Sequence, residues 1–237
     1  MVRMVDGYLD WKGWSQDSFG APRRGDDAYY RREVREAARI RRPLDVLEIG
    51  FGNGEFLGFG RRRGWRMNGT ELLPELVDAA NADGFSAHAA DALPALPDES
   101  FDLVAAFDVF EHIPPELSVE FLGLLADKVR RDGLIVLRFP NADSWIGNPF
   151  QYGDVTHVNA IGILKMEYYA RRCGLVIERV RGGTRRGFRT SLIHGLHLIT
   201  AGVAIRIGAG VAKAMFFPGL RVVLSSSSVV VVLRRAS

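Results

Sequence analysis

The run Val46-Leu-Glu48-Ile-Gly50-Phe-Gly52-Asn53-Gly54 puts one acid and three glycines at the end of a short β-branched stretch. Glycines directly after a strand let the backbone turn sharply and approach a ligand at the next helix N-terminus. Their spacing is G-x-G-x-G rather than the dinucleotide-binding G-x-G-x-x-G, and Glu48 stands two residues ahead of the first glycine. Glu71 ends the next predicted strand, 17 residues beyond Gly54, where an acid can bond both hydroxyls of a ribose. Asp91 ends the third, where a carboxylate can accept from an adenine amino group. The fourth closes on Phe107-Asp108-Val-Phe-Glu-His112. Glycine loop and acids follow one another in chain order, each at a strand end.

Two of the five histidines stand where a proton could be moved. His112 follows the fourth predicted strand, and His157 lies in Gly153-Asp154-Val-Thr156-His157, after the fifth. A neutral imidazole accepts a proton near neutral pH, and Asp154 could orient the ring or cap a helix. His157 is the expected base and His112 the residue expected to position the acceptor or the loop. His88, His194 and His197 read as strand or helix-face residues. No carboxylate cluster at metal-ligand spacing is visible, so the expectation is a reaction without a metal. The lone Cys173, in an Arg-Arg-Cys-Gly-Leu segment, reads as a small buried side chain at a helix end and excludes an intrachain disulfide.

These residues need strands and helices in alternation to carry them. A helix is expected from Asp26 to about Arg41, stopped by Pro43. Strands follow at 44–49, 65–70, 85–90, 102–107, 134–139 and 175–180, with a last one in Ser225–Leu233. Helices fall at 55–63, 74–81, 115–130 and 161–172. This spacing means βαβ units and an α/β, doubly wound, mostly parallel Rossmann-like sheet. The composition changes over Gly182–Leu220, an insertion ahead of the last strand.

The whole chain has 237 residues, 47% apolar and 25% charged, with mean hydropathy +0.01. Such a chain buries a sizeable core without disulfides, and its composition excludes a disordered, collagen-like or disulfide-scaffold protein. The net charge is +3, and the arginine pairs are scattered rather than gathered on one face, so no nucleic-acid partner is expected. The N-terminus shows no apolar run of a signal peptide, and a cytoplasmic protein is expected. Leu192–Leu220 is apolar and rich in small residues, but Arg206 and Lys213 interrupt it. Its apolar pieces fall short of the ~20 residues of a membrane span. It reads as a peripheral membrane helix, a homodimer interface or a packed cap.

The stretches Leu47-Glu-Ile-Gly-Phe-Gly-Asn-Gly54, Gly69-Thr-Glu71-Leu72, Ala90-Asp91-Ala92 and Phe107-Asp-Val-Phe-Glu-His-Ile113 resemble those of class I S-adenosylmethionine-dependent methyltransferases. The resemblance covers about residues 26–181 and the final strand. It implies a seven-stranded sheet of order 3-2-1-4-5-7-6 with the last strand antiparallel and a helical insertion between strands 6 and 7. It implies S-adenosylmethionine as cofactor, held by Glu48, Gly50, Gly52, Asn53 and Gly54 around the methionine moiety. Glu71 and Leu72 fall to the ribose, Asp91 and Ala92 to the adenine, and Phe107 or Asp108 to the methionine end. The Asp-x-Thr-His spacing at 154–157 resembles methyltransferases of bacterial glycan and natural-product pathways. The Asn/Asp-Pro-Pro-Tyr motif of N-methyltransferases is missing after strand four; Asn148-Pro149-Phe150 lies too late in the chain. The expectation is therefore O-methylation of a sugar, glycan or small-metabolite hydroxyl. The rivals are a non-catalytic S-adenosylmethionine-binding partner subunit and an NAD(P)-dependent oxidoreductase, the latter disfavoured by the glycine spacing. Residues 1–25, with Tyr8, Trp11, Trp14 and Phe19, are read as an aromatic lid or an anchored tail, residues 26–237 as the methyltransferase domain, and 182–220 as an insertion within it.

Overall fold

The computed structural model describes residues 19–21, 25–40, 44–184 and 200–236. Tyr8, Trp11, Trp14, His194 and His197 lie outside the described residues. The β-branched and apolar runs form β1 (Asp45–Ile49), β2 (Arg66–Glu71), β3 (Ser86–Ala89), β4 (Phe101–Phe107), β5 (Val129–Pro140), β6 (Leu175–Gly182) and β7 (Ser228–Arg235). They join in one sheet of order β3-β2-β1-β4-β5-β7-β6. β7 runs antiparallel to both neighbours, and the other pairs are parallel. This is the order implied by the resemblance.

Side chains alternate across a strand, so each strand feeds two cores. Leu47, Ile49, Val104, Ala106, Ile135 and Leu137 pack on one face against α4 (Ser118–Lys128) and α6 (Ile163–Arg172). Val46, Leu103, Ala105, Leu134 and Val136 pack on the other, against α1 (Asp26–Glu33), α2 (Glu55–Arg62) and α3 (Pro74–Ala82). β4 and β5 therefore read as apolar runs over Leu103–Phe107 and Leu134–Leu137, as expected when both faces are covered. A short α5 (Asn148–Tyr152) follows β5, and α7 (Ala201–Phe216) lies in the insertion between β6 and β7.

Three elements depart from the sequence reading for long-range reasons. The helix begun at Asp26 becomes a 3-10 turn at Arg35–Arg39. There Glu33 is claimed from outside: Arg181 donates to its carbonyl at 2.5 Å, and the Thr184 N–H to its carboxylate at 2.5 Å. The helix expected to reach Arg130 ends at Lys128, whose buried Nζ donates to the carbonyls of Pro94 and Leu96 and to the Asp98 carboxylate. Val129 then pairs with Phe101 and opens β5 five residues early. Finally, the only buried residue of α7 is Gly202, so this helix is not the packed core of a cap.

The loops after β4 and β5 are fastened together by one side chain. Asn159 is fully buried; its backbone N–H donates to the Glu111 carbonyl at 3.0 Å. Its Nδ2 donates to the Ile113 carbonyl at 3.1 Å and to Ser118 Oγ at 2.9 Å, while its Oδ1 accepts from Lys165 Nζ at 2.6 Å. Buried polar groups that lose their partners cost about 1–3 kcal/mol each. Asn159→Leu is therefore expected to lower unfolding free energy by about 2–4 kcal/mol. Denaturant titration checks this, and a loss below about 0.5 kcal/mol, the size of an ordinary surface substitution, would show that the loops are held by other means.

Candidate active site

The glycine loop begins where β1 ends. Gly50 takes φ 65°, and a Cβ there would lie 2.7 Å from Val109 Cγ2, so both the turn and the neighbouring loop require glycine. Gly54 takes φ 74° as it caps α2, and the Phe19 ring fills the space a side chain would need. Glu71 holds the loop from the end of β2. Its Oε2 accepts from the Gly52 N–H at 2.9 Å, and its Oε1 from the N–H groups of Leu72 at 2.7 Å and Leu73 at 3.3 Å. Burial pushes the Glu71 carboxyl up, against the pull of those three donors. Glu48 is different. Its Oε2 is buried with no hydrogen-bond partner among the described residues. Burial first, then the carboxylates of Glu55 and Glu71, hold it well above the usual carboxylate range.

Two cavities open at the carboxyl ends of the strands and share Gly50, Asp108 and His112. The smaller, about 370 Å³, is mainly apolar, walled by Val109, Ile113, Leu117 and Phe121, with Glu71, Leu72 and Ala90 on it. Asp91 follows as an exposed residue of the 3-10 turn beyond β3, and Ala92 is half-buried; neither lines this cavity. The larger, about 610 Å³, is polar, with Glu48, Gly52, Phe107, Glu111, Arg138, Asp154, His157, Ser227 and Ser228 on its walls. Asp108 holds φ 57°, unusual for a residue with a side chain, and its carboxylate pairs with Arg138. Phe107 packs on Tyr30 and Phe56. The carbonyl of buried Asn53 accepts from the Gly20 N–H at 2.8 Å, and Phe19 packs edge-on against Phe51. The described part of the N-terminal segment thus rests on the glycine loop.

The structure brings His112 and His157 together across 45 residues, ring centroids 4.7 Å apart. Each ring is set by a backbone carbonyl. His112 Nδ1 lies 3.1 Å from the Thr156 oxygen and His157 Nδ1 2.9 Å from the Phe150 oxygen. A carbonyl only accepts, so each Nδ1 carries the hydrogen, and in the neutral ring Nε2 is the acceptor. Asp154 does not set the His157 tautomer. Its Oδ1 accepts from the N–H and hydroxyl of Thr156, and its Oδ2 stands 3.6 Å from His157 Nε2. Glu111 Oε1 stands 3.9 Å from the same nitrogen, on a side chain with no exposure. Glu111, Arg138, Asn159 and the Ser227–Ser228 pair were not singled out from sequence. Only Glu111 carried a signal, its place next to His112.

Ligand atoms of Glu111, His112 and His157 all lie within 4.8 Å of one another, a group able to hold a metal ion that no single stretch of sequence displays. Toward a charged cofactor, the orphaned carboxylate oxygen of Glu48 beside the loop fits the ammonium of a methionine moiety. S-adenosylmethionine therefore suits the residues present.

A family model described as a methyltransferase domain matches residues 23–179. No curated protein matches the chain. Among solved structures, an S-adenosylmethionine-dependent methyltransferase of Archaeoglobus fulgidus aligns over 89% of this chain and 97% of its own, with 20% identity and a TM-score of 0.59. One from Mesorhizobium loti aligns over 86% and 97%, with 16% identity and a TM-score of 0.55. The magnesium protoporphyrin IX methyltransferase of Synechocystis, solved with S-adenosylmethionine bound, aligns over 89% and 79%, with 14% identity and a TM-score of 0.56. At these identities the structures attest the fold, while the family match spans most of the sheet and its glycine loop. The chain belongs to the methyltransferase-domain family and carries the class I methyltransferase fold.

Proposed function

We propose that this enzyme methylates a hydroxyl of a sugar, glycan or small metabolite in the cytoplasm, with His157 as general base. One observation carries the reading. Two imidazoles line the larger cavity with Nδ1–H tied to backbone carbonyls, and Nε2 of His157 stands near two carboxylates. A hydroxyl is far too weak an acid to attack unaided, so its proton must leave as the methyl group arrives. When bound, S-adenosylmethionine supplies an electrophilic methyl group on a sulfonium.

The chain's own residues do the rest. Glu48 meets the positive ammonium, and Gly50, Gly52, Asn53 and Gly54 turn the backbone around the methionine moiety. Glu71 and Leu72 face the ribose, Asp91 and Ala92 the adenine side, and Phe107 and Asp108 the methionine end. His157 Nε2 takes the hydroxyl proton, while Asp154 and Glu111 face the charge that forms on the ring. His112 borders both cavities and positions the acceptor. A second reading rests on the Glu111–His112–His157 group, since a divalent cation there would also acidify the hydroxyl.

Calorimetry is expected to show S-adenosylmethionine or its demethylated product binding in the micromolar range, about −7 to −8 kcal/mol, with no NAD binding. Glu71→Ala should weaken it by about 1–3 kcal/mol. NAD binding in place of S-adenosylmethionine would sink the assignment.

Glu48→Gln separates stability from binding. The folded-state pKa of Glu48 lies above its ordinary 4.5, so the folded state holds this proton more tightly than the unfolded chain. That contribution is complete below about 4.5 and is lost as pH climbs through the folded value. The ligand-free variant should melt higher than the wild type at pH 8, with the gap closing toward pH 4, yet bind cofactor about tenfold more weakly. Thermal melts across pH and calorimetry read both, and an unchanged affinity would remove Glu48 from the site.

His157→Ala should lower kcat by about 10²–10⁴ with cofactor affinity intact. If His112→Ala loses turnover and His157→Ala keeps it, the two roles are exchanged. With imidazole as the base, turnover should survive EDTA. Loss on chelation and rescue by Mg²⁺ or Mn²⁺ would establish the cation reading instead.

A further inference from the structure

The helix α7 faces outward with its apolar side. Val203, Ile207, Val211 and Met215 recur every four residues and form one stripe along it. All are exposed, Ile207 by 64% and Met215 by 67%, and Phe216 beyond them by 70%. The opposite side is made of half-buried Ala201, Ile205, Ala209 and Ala212. A helix made only to pack on its own domain would have these faces exchanged. Its two charges are Arg206 and Lys213, two turns apart on one flank of the stripe.

Charge is segregated along the chain in the same region. From Gly182 to Leu220 there are five arginines and lysines and no acid. At 1.5 Å per residue the helix is about 24 Å long, short of the ~30 Å hydrocarbon thickness. No helix among the described residues is long and apolar enough to cross a membrane. An apolar stripe flanked by cations on a helix of this length suits the plane of a bilayer interface. A second copy suits it less. A twofold contact through the stripe would bring the Arg206–Lys213 flanks together with no acid on the insertion to pair them.

We propose that α7 docks this enzyme on an anionic lipid bilayer, apolar stripe inward and cations at the headgroups. The docking places the reactive edge of the sheet beside the membrane. β6 runs parallel to β5, so the insertion leaves and re-enters the sheet at the edge that carries the cavities. The chain returning from α7 is fastened there. The Leu224 carbonyl accepts from Ser144 Oγ at 2.7 Å and the Ser226 carbonyl from Asn141 Nδ2 at 3.0 Å. Ser227 and Ser228 then line the larger cavity.

Sedimentation of the full chain with vesicles tests this without any cofactor or acceptor, so it stands or falls apart from the assignment of the reaction. Binding is expected to vesicles of mixed phosphatidylglycerol and phosphatidylcholine, to weaken with salt, and to fall at least about tenfold on phosphatidylcholine alone. The Ile207→Asp/Val211→Asp double variant should remove it, and Lys213→Glu should weaken it about fivefold or more. The circular dichroism spectrum and the cooperative thermal melt should be unchanged in both, which shows that the body remains folded. A wild-type chain that stays in the supernatant with anionic vesicles would overturn the proposal. So would light scattering that shows a dimer split by Ile207→Asp, because the stripe would then belong to a second copy.

Discussion

The sheet reverses its order between β1 and β4, and the chemistry of this fold depends on that split. Connections from the two strands leave to opposite faces, so a crevice opens between their carboxyl ends. The loops from these strands still touch. Gly50 and Val109 meet so closely that a methyl group at residue 50 would collide. That contact sets Asp108, in its left-handed conformation, at the junction of the two cavities. A glycine and a strained aspartate on adjacent strands are one constraint seen from two sides.

Two carboxylates divide the work on the glycine loop. Glu71 is satisfied by three backbone donors, one of them from the loop itself, and so acts as a structural clamp on Gly52. Glu48 is buried, lacks a partner at Oε2 and lies near other acids, an arrangement that destabilises the ligand-free fold. A cationic ligand would relieve that cost. The free energy withheld from folding then becomes binding energy, a common balance at functional sites.

What was legible in the sequence is what neighbours in the chain decide. Strand ends, the glycine loop and the acids at 48, 71 and 108 all follow from local pattern, and the structure puts each at the expected strand end. Asp91 stands in the first turn of the 3-10 helix Ala90–Ala95 rather than at a strand end, because β3 closes at Ala89. The rest depends on distant partners. The break after Glu33 is made by Arg181 and Thr184, and the early start of β5 follows from Lys128 reaching back to the 94–98 loop. The imidazole pair could be suspected one ring at a time, but Asn159, which ties their loops, carries no local signature.

The two halves of the site draw on different parts of the chain. The glycine loop, Glu71 and Asp108 come from β1, β2 and β4, whose positions are set by a sheet buried on both faces. His157, Asp154, Ser227 and Ser228 come from the segments after β5 and before β7, and these are held mainly by side chain to backbone bonds from Asn141, Ser144 and Asn159. Hydrogen bonds of that kind fix a loop without prescribing what it carries, so this half can change residues while the strands beneath it stay as they are. The insertion enters at the same place. Its return strand, β7, runs antiparallel to both of its neighbours, and that reversal brings both ends of the insertion to the edge that carries the cavities. An antiparallel last strand is therefore more than a detail of topology here. It brings both ends of the insertion to the strand edge that carries the larger cavity without passing the chain through the sheet.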